Sequence, residues 1–125
     1  MSNAKTVYNI HTDVKYPQGM PFDVADVIAA NEHPWFNQTL VQVNDSVVRL
    51  GLLHGEFHWH HHSDEDELFF VLQGQLLLDV EGQGTHTLGP GQGYCVPRGV
   101  EHRTRAAEPV QVLMMALAGV VPTGD

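Results

Sequence analysis

Turn residues interrupt the second half of this chain so often that no long helix fits there. Gly74, the run Glu81-Gly82-Gln83-Gly84, the run Gly89-Pro90-Gly91 and the run Pro97-Arg98-Gly99 cut residues 67–105 into short apolar pieces. Glycine reaches backbone angles closed to other residues, and proline has no amide N–H to offer a ladder, so both punctuate regular structure. The pieces left between them are rich in Val, Leu and aromatics, and predict strands over 67–73, 75–80, 85–88, 92–97, 101–105 and 109–118. Upstream, residues 38–43 alternate, with Leu40 set against Val41 and Val43. Asn44-Asp45 supply a turn, and residues 46–54 are again rich in Val and Leu. The single helix candidate is Asp23 to Asn31, where Val24, Val27 and Ile28 share a face, Asp23 is placed to cap and Pro34 bars continuation. Residues 1–20 are polar, with Pro17 and Gly19, and predict an irregular or edge-strand lead-in. Short strands at this turn rate indicate an all-β sandwich or barrel. A chain of 125 residues, 42% hydrophobic and 17% charged, is most simply one globular domain. We expect an N-terminal extension over 1–36 and a barrel core over 37–118.

Set on this pattern are three consecutive histidines, His60, His61 and His62, with Glu67 shortly after and His102 in a later Pro/Gly turn. Side chains alternate along a strand, so His60 and His62 point one way and His61 the other. A turn through Ser63-Asp64-Glu65-Asp66 lets Glu67 begin the next strand opposite them. First-row divalent metals accept imidazole nitrogen and carboxylate oxygen, so His60, His62, Glu67 and His102 could surround one ion. If they do not converge, the chain is an acidic β-domain of no evident chemistry. A short His-rich tract beside acidic residues is often a solvated loop that binds metal adventitiously; the placement of His102 is what favours a specific site. Glu65 is a rival carboxylate, but no glycine follows it at the needed distance, and with Asp64 and Asp66 it reads as solvated turn.

These spacings resemble the cupin superfamily. Its first motif is His-x-His, three or four residues, Glu, six residues, Gly; here His60-His61-His62 is followed by four residues, Glu67, six residues and Gly74. Its second is Gly, five residues, Pro-x-Gly, two residues, His; here Gly91, five residues, Pro97-Arg98-Gly99, two residues and His102. Gly55 stands one residue nearer the histidines than usual, and the asparagine that often closes the second motif is replaced by Ala106. Neither departure removes a ligand. The similarity covers roughly residues 45–118. The Trp59-His60 lead-in, the run Asp66-Glu67-Leu68-Phe69 and the closing Thr123-Gly124-Asp125 look like small single-domain, phosphomannose-isomerase-like cupins.

The resemblance implies a jelly-roll, or double-stranded β-helix, barrel of six to eight strands with a short N-terminal helix and extension. It implies one divalent transition metal per chain (Fe, Mn, Ni, Co, Cu or Zn) and, as small cupins usually dimerise, a homodimer. Four ligands on a six-coordinate metal would leave two positions for water, dioxygen or a bidentate substrate. Three functions are compatible. The first is a metal-dependent enzyme of dioxygenase, isomerase or decarboxylase type, acting on a small polar or acidic metabolite. The second is a metal-bearing small-molecule-binding or sensing domain without turnover; the third is a structural metal. Open coordination positions favour the first over the third.

The net charge of −9, from 15 acidic against 6 basic residues, argues against nucleic acid or an anionic membrane as partner. No segment has the apolar length of a membrane-spanning helix. With Cys95 alone there is no internal disulfide, which fits a cytoplasmic setting. Other residues carry softer expectations. Were 54–62 one regular strand, His54, Glu56 and His58 would share the inward face, and His58 would steady the ligands or act as general acid/base. A bulge at Gly55 would turn His54 and Glu56 outward. Phe57 and Trp59 are expected on the face opposite the ligands. One of Tyr94 and Cys95 would line the pocket, with Cys95 read as a small buried hydrophobe. Arg98 could meet an anionic substrate at the mouth. Phe69, Phe70, Val71, Leu76 and Leu78 are assigned to the core, and Met114 and Met115 to core or pocket wall. His11, His33 and His86 receive no role.

Overall fold

The computed structural model describes residues 8–124, so the start of the lead-in (1–7) and Asp125 lie outside the described residues. Eight strands and one helix follow in chain order: β1 Asn9–His11, α1 Val24–Ala30, β2 Phe36–Val43, β3 Ser46–Glu56, β4 Glu67–Gln73, β5 Leu76–Val80, β6 Gly84–Leu88, β7 Gly93–Val96 and β8 His102–Leu117. The helix is where the sequence places it. Asp23 accepts a hydrogen bond from the Ala25 N–H at 2.9 Å, and the chain leaves the helix at Asn31, before Pro34.

One sheet runs β1-β2-β3-β8-β4-β7, and β5 joins β6 to β8 off that path. The strands expected over 101–105 and 109–118 are therefore one long strand. Its N-terminal part, His102 to Arg105, pairs with β5, and its C-terminal part pairs with β3 and β4. Between these parts the β3 ladder skips from Leu53↔Val110 to Gly55↔Ala106. Pro109, with no N–H to donate, sits in that bulge, where the strand passes from one sheet layer to the other. The result is the all-β jelly-roll. Leu76, Leu78, Val80 and Leu88 of one layer pack against Phe69, Val71, Val96, Val112 and Met114 of the other.

Strand parity decides which apolar residues reach this core. Phe69 and Val71 point in, so Phe70 between them points out and is 37% exposed, and Met115 beside the buried Met114 is 41% exposed. Both were expected in or near the core. The outer face of β2, β3 and β8 is partly covered by α1, whose Val27 packs with Phe36, Leu40 and Leu50. Beyond that cover, Phe70, Met115 and Leu117 remain exposed.

On the outer face of the smaller layer, Asp79 of β5 lies cross-strand from Arg103 and from Thr85. Its carboxylate accepts from Arg105 Nε at 2.6 Å, Arg103 Nε at 2.8 Å and Thr85 Oγ1 at 2.6 Å. The Arg105 hydrogen bond leads the causes that hold Asp79 far below the ordinary carboxylate range. Asp79→Asn should cost about 2 kcal/mol in urea unfolding near neutral pH, because it leaves two half-buried guanidinium groups side by side. The folded-state pKa lies below the unfolded one, so this stabilisation is present above the ordinary aspartate value and is lost as pH falls toward the folded value. The gap between wild type and Asp79→Asn should thus narrow steadily as pH falls from about 5 to about 2. A gap that stays constant over that range would assign the effect to packing instead.

Candidate metal centre

Gly55 decides which histidines turn inward. Its φ of +86° lies where other residues are strained, and the β3 register shifts beside it. His54 and Glu56 are consequently exposed. β3 ends at Glu56, and residues 57–62 continue as an irregular edge, pinned by the Phe57 N–H to the Thr104 carbonyl at 3.0 Å. Phe57 turns inward, contrary to expectation: it is buried, stacks on Trp35 with centroids 4.8 Å apart, and meets the His60 ring edge-on. Trp59 stays outside, with the Arg103 guanidinium 5.2 Å above its ring.

His60 and His102 then meet across the strands. The His60 N–H donates to the His102 carbonyl at 3.0 Å and the His102 N–H to the His60 carbonyl at 2.9 Å, so their rings stand 4.3 Å apart. The two sequence motifs are also tied at their loops. The Gly99 N–H donates to the His62 carbonyl at 2.8 Å, and the Arg98 N–H to Asp66 Oδ1 at 2.9 Å. Glu67 follows as the first residue of β4. His60, His62, Glu67 and His102 are all buried, and one donor atom from each lies within 4.8 Å of the others. His61 points away and pairs with Glu101 at 2.5 Å.

The electrostatics fit a cation. His60 Nδ1 lies 3.1 Å from the His58 carbonyl and His102 Nδ1 lies 3.0 Å from the Val100 carbonyl. A carbonyl only accepts, so both Nδ1 atoms carry the proton and both Nε2 atoms are left for a ligand. Burial, and next His102, push His60 down to about 4, which keeps it neutral at neutral pH. Burial by itself would raise Glu67, but the His102 and His62 contacts outweigh it and hold Glu67 at about 2. Imidazole nitrogens around an ionised carboxylate are the donor set that a first-row divalent ion takes. These four residues could therefore hold a metal.

His58 is not in the buried group. Its imidazole is exposed and its Nε2 donates to the Thr123 carbonyl at 2.8 Å, while its own main-chain carbonyl steadies His60. Residues 118–124 thus cross the mouth of the site. Val120 is buried, and Gly124 lies so close that a Cβ there would fall 2.6 Å from His60 Cβ. Beneath this tail is a cavity of about 20 Å³, bounded by His60, Glu67, Phe57, Trp35, Asn37 and Pro122. Trp35 Nε1 and Asn37 Oδ1 are buried there without a hydrogen-bond partner among the described residues. Nearby, Arg49 is also buried, bonding Thr39 Oγ1 through Nε at 3.1 Å and the Val120 carbonyl through Nη2 at 3.2 Å. Burial lowers its pKa, and Glu67 and Glu65 act against that.

Sequence reasoning missed Trp35, Asn37 and Arg49. A charged residue inside the apolar run 46–54 was the available signal, since a guanidinium is rarely buried without a task. Cys95 is exposed, not buried, in an outer groove with Arg98 and Met115, where partial desolvation, and next the Asp66 and Glu67 charges, raise its thiol pKa. Tyr94 stacks on His86 at 4.5 Å. A roomier groove, about 650 Å³, lies between α1 and β1–β2 near His11 and His33. It is open and remote from the histidine group, so the chemistry is assigned to the small cavity.

Residues 52–116 match the family model described as Cupin domain. The uncharacterized protein YdbB of Bacillus subtilis is 46% identical over 70 residues, which are 56% of this chain and 62% of YdbB. A cupin-2 domain containing protein from Shewanella frigidimarina superposes with a TM-score of 0.70 at 32% identity, over 75% of this chain and 91% of that one. A conserved Streptococcus pyogenes protein of unknown function superposes with a TM-score of 0.67 over 92% of this chain and 96% of its own, at 23% identity, a likeness of fold.

Proposed function

This chain belongs to the cupin family, and on that premise we propose that it holds one divalent transition metal through His60, His62, Glu67 and His102 and acts on a small polar or acidic metabolite. The observation that carries this reading is the convergence of four buried donor atoms within 4.8 Å of one another, with two imidazoles locked in the ligating tautomer by backbone carbonyls. The ion would supply Lewis acidity, of use in dioxygenase, isomerase or decarboxylase chemistry. Around it the chain's own groups exclude water. Phe57 and Phe69 wall the cavity, and Pro122 closes it. The His58 imidazole, at the tail, is an exposed proton carrier, its ring 5.4 Å from that of His60. In this reading His58 latches the tail and exchanges protons at the mouth.

The test is the metal content of protein purified without nickel, by mass spectrometry, followed by turnover of a panel of small acids with dioxygen uptake recorded. One ion per chain with turnover supports an enzyme. One ion with tight binding and no turnover selects the sensing domain. Protein that stays metal-free after incubation with each first-row ion sinks the reading.

We further propose a cytoplasmic homodimer. The support is the exposed apolar set Phe70, Met115 and Leu117 on one sheet face, since a contiguous apolar patch rimmed by polar residues marks an interface. Light scattering should return twice 13.9 kDa, and Phe70→Glu with Met115→Glu should return the monomer. A monomeric wild type would remove the dimer from the proposal.

A further inference from the structure

The inner wall beside the histidines carries three polar groups that core packing does not need. Trp35, just before β2, and Asn37, its second residue, face the same cavity as His60 and Glu67. Two residues on, Thr39 stands cross-strand from Arg49 of β3, while Asn37 stands cross-strand from Gly51. The side chains of Trp35, Asn37 and Arg49 therefore form a strip along one inner face. Trp35 is 5% exposed, Asn37 3% and Arg49 4%. A buried indole N–H and a buried amide end left unpaired are each costly, and turning the amide over still leaves one polar atom facing the cavity. Arg49 is a buried cation with no carboxylate in contact among the described residues. One of its donors is taken by a carbonyl of the tail, at Val120.

We propose that Trp35, Asn37 and Arg49 recognise a small hydroxycarboxylate, bound beside His60 and Glu67 under the residues 118–124. Each group specifies one part of that ligand. A guanidinium matches a carboxylate, the indole N–H needs an acceptor, and the Asn37 oxygen needs a hydroxyl donor. Charge agrees: Arg49 and Glu67 cancel, so a divalent ion in the site would leave a surplus that an anion neutralises.

Space agrees as well. The cavity of about 20 Å³ admits one water, but Pro122 also walls a groove of about 390 Å³ that reaches Arg49. Withdrawal of the tail joins the two into one chamber. The Val120 carbonyl then leaves Arg49, and the ligand carboxylate takes its place.

This inference rests on the metal reading above, so the experiment reads metal and ligand separately. Full-length protein loaded with metal is titrated calorimetrically with glycolate, acetate and glycolamide, and the metal content of every sample is measured by mass spectrometry. Glycolate should bind about tenfold tighter than acetate, which lacks the hydroxyl, and than glycolamide, which lacks the charge. Asn37→Leu should abolish the preference over acetate while keeping that over glycolamide. Arg49→Met should do the reverse, and Trp35→Phe should weaken glycolate by about fivefold. Metal content should be unchanged in all three. Equal binding of the three probes by wild type overturns the proposal, as does a folded, metal-loaded Asn37→Leu that still prefers glycolate. Should Arg49→Met not fold, Asn37→Leu and Trp35→Phe decide. Wild type without metal counts against the metal reading alone, because the same preferences can then be scored on metal-free protein.

Discussion

His102→Ala should cost the protein its metal. His102 is almost completely buried, and its Nε2 stands 3.3 Å from Glu67 Oε1, so no neighbouring side chain can move in to replace it. Loss of one ligand of four should weaken metal affinity by at least about 100-fold, given that loss of a group that merely orients a ligand costs 10- to 100-fold. At a fixed metal concentration well above the wild-type Kd, that removes about 2.7 kcal/mol of metal-linked stability. For a domain of this size the metal-dependent rise in Tm should shrink by about 10 °C. His60→Ala should behave alike. His61→Ala, which removes a pairing with Glu101 outside the group of four, should keep both the metal and the rise. Mass spectrometry and thermal melts with and without chelator check all three. Stoichiometric metal in His102→Ala would falsify the assignment.

Phe57→Ala should cost about 3–5 kcal/mol, the usual loss for a buried phenylalanine. The ring is wedged between Trp35 at 4.8 Å and Tyr8 at 4.5 Å, and it meets the His60 ring at 5.1 Å. Its removal strips packing from the core and from the wall behind His60 together. That is a large share of the 5–15 kcal/mol that stabilises a typical domain. Urea unfolding measures the loss. Phe57→Leu should recover more than half of it by refilling most of the volume. A loss under about 1 kcal/mol in Phe57→Ala would mean that the wall collapses freely onto the gap.

The histidine group was legible because its information is local. The spacing from His60 to Glu67, and from Gly91 to His102, already encodes two strand ends and two turns. The strands could be read from Gly and Pro punctuation, with Gly74 and the turn Glu81-Gly82-Gln83 falling between strands. Errors appeared where parity was extended through an irregular backbone. Phe57 was assigned outward because alternation was carried through residues 57–62, which follow the end of β3 and are not a regular strand. β8 was divided into 101–105 and 109–118, but a bulge takes up the residues between and the strand continues. The polar strip was invisible for another reason. Trp35 and Asn37 share a cavity with His60, and Arg49 joins their face, only through sheet pairing between segments far apart in the chain, and no local pattern reports that.

The length of β8 also has a consequence for biosynthesis. It pairs with β3, β4 and β5, all of which are made before it. Until residues 102–117 leave the ribosome, those three strands present unpaired edges and an apolar interior. Such edges are templates for pairing between chains, and closing contacts of this sequence separation slows folding. The nascent chain therefore passes through a stage in which it is vulnerable to aggregation, and a chaperone would act on it there. A stop codon or a translational pause just before His102 would hold it at that stage.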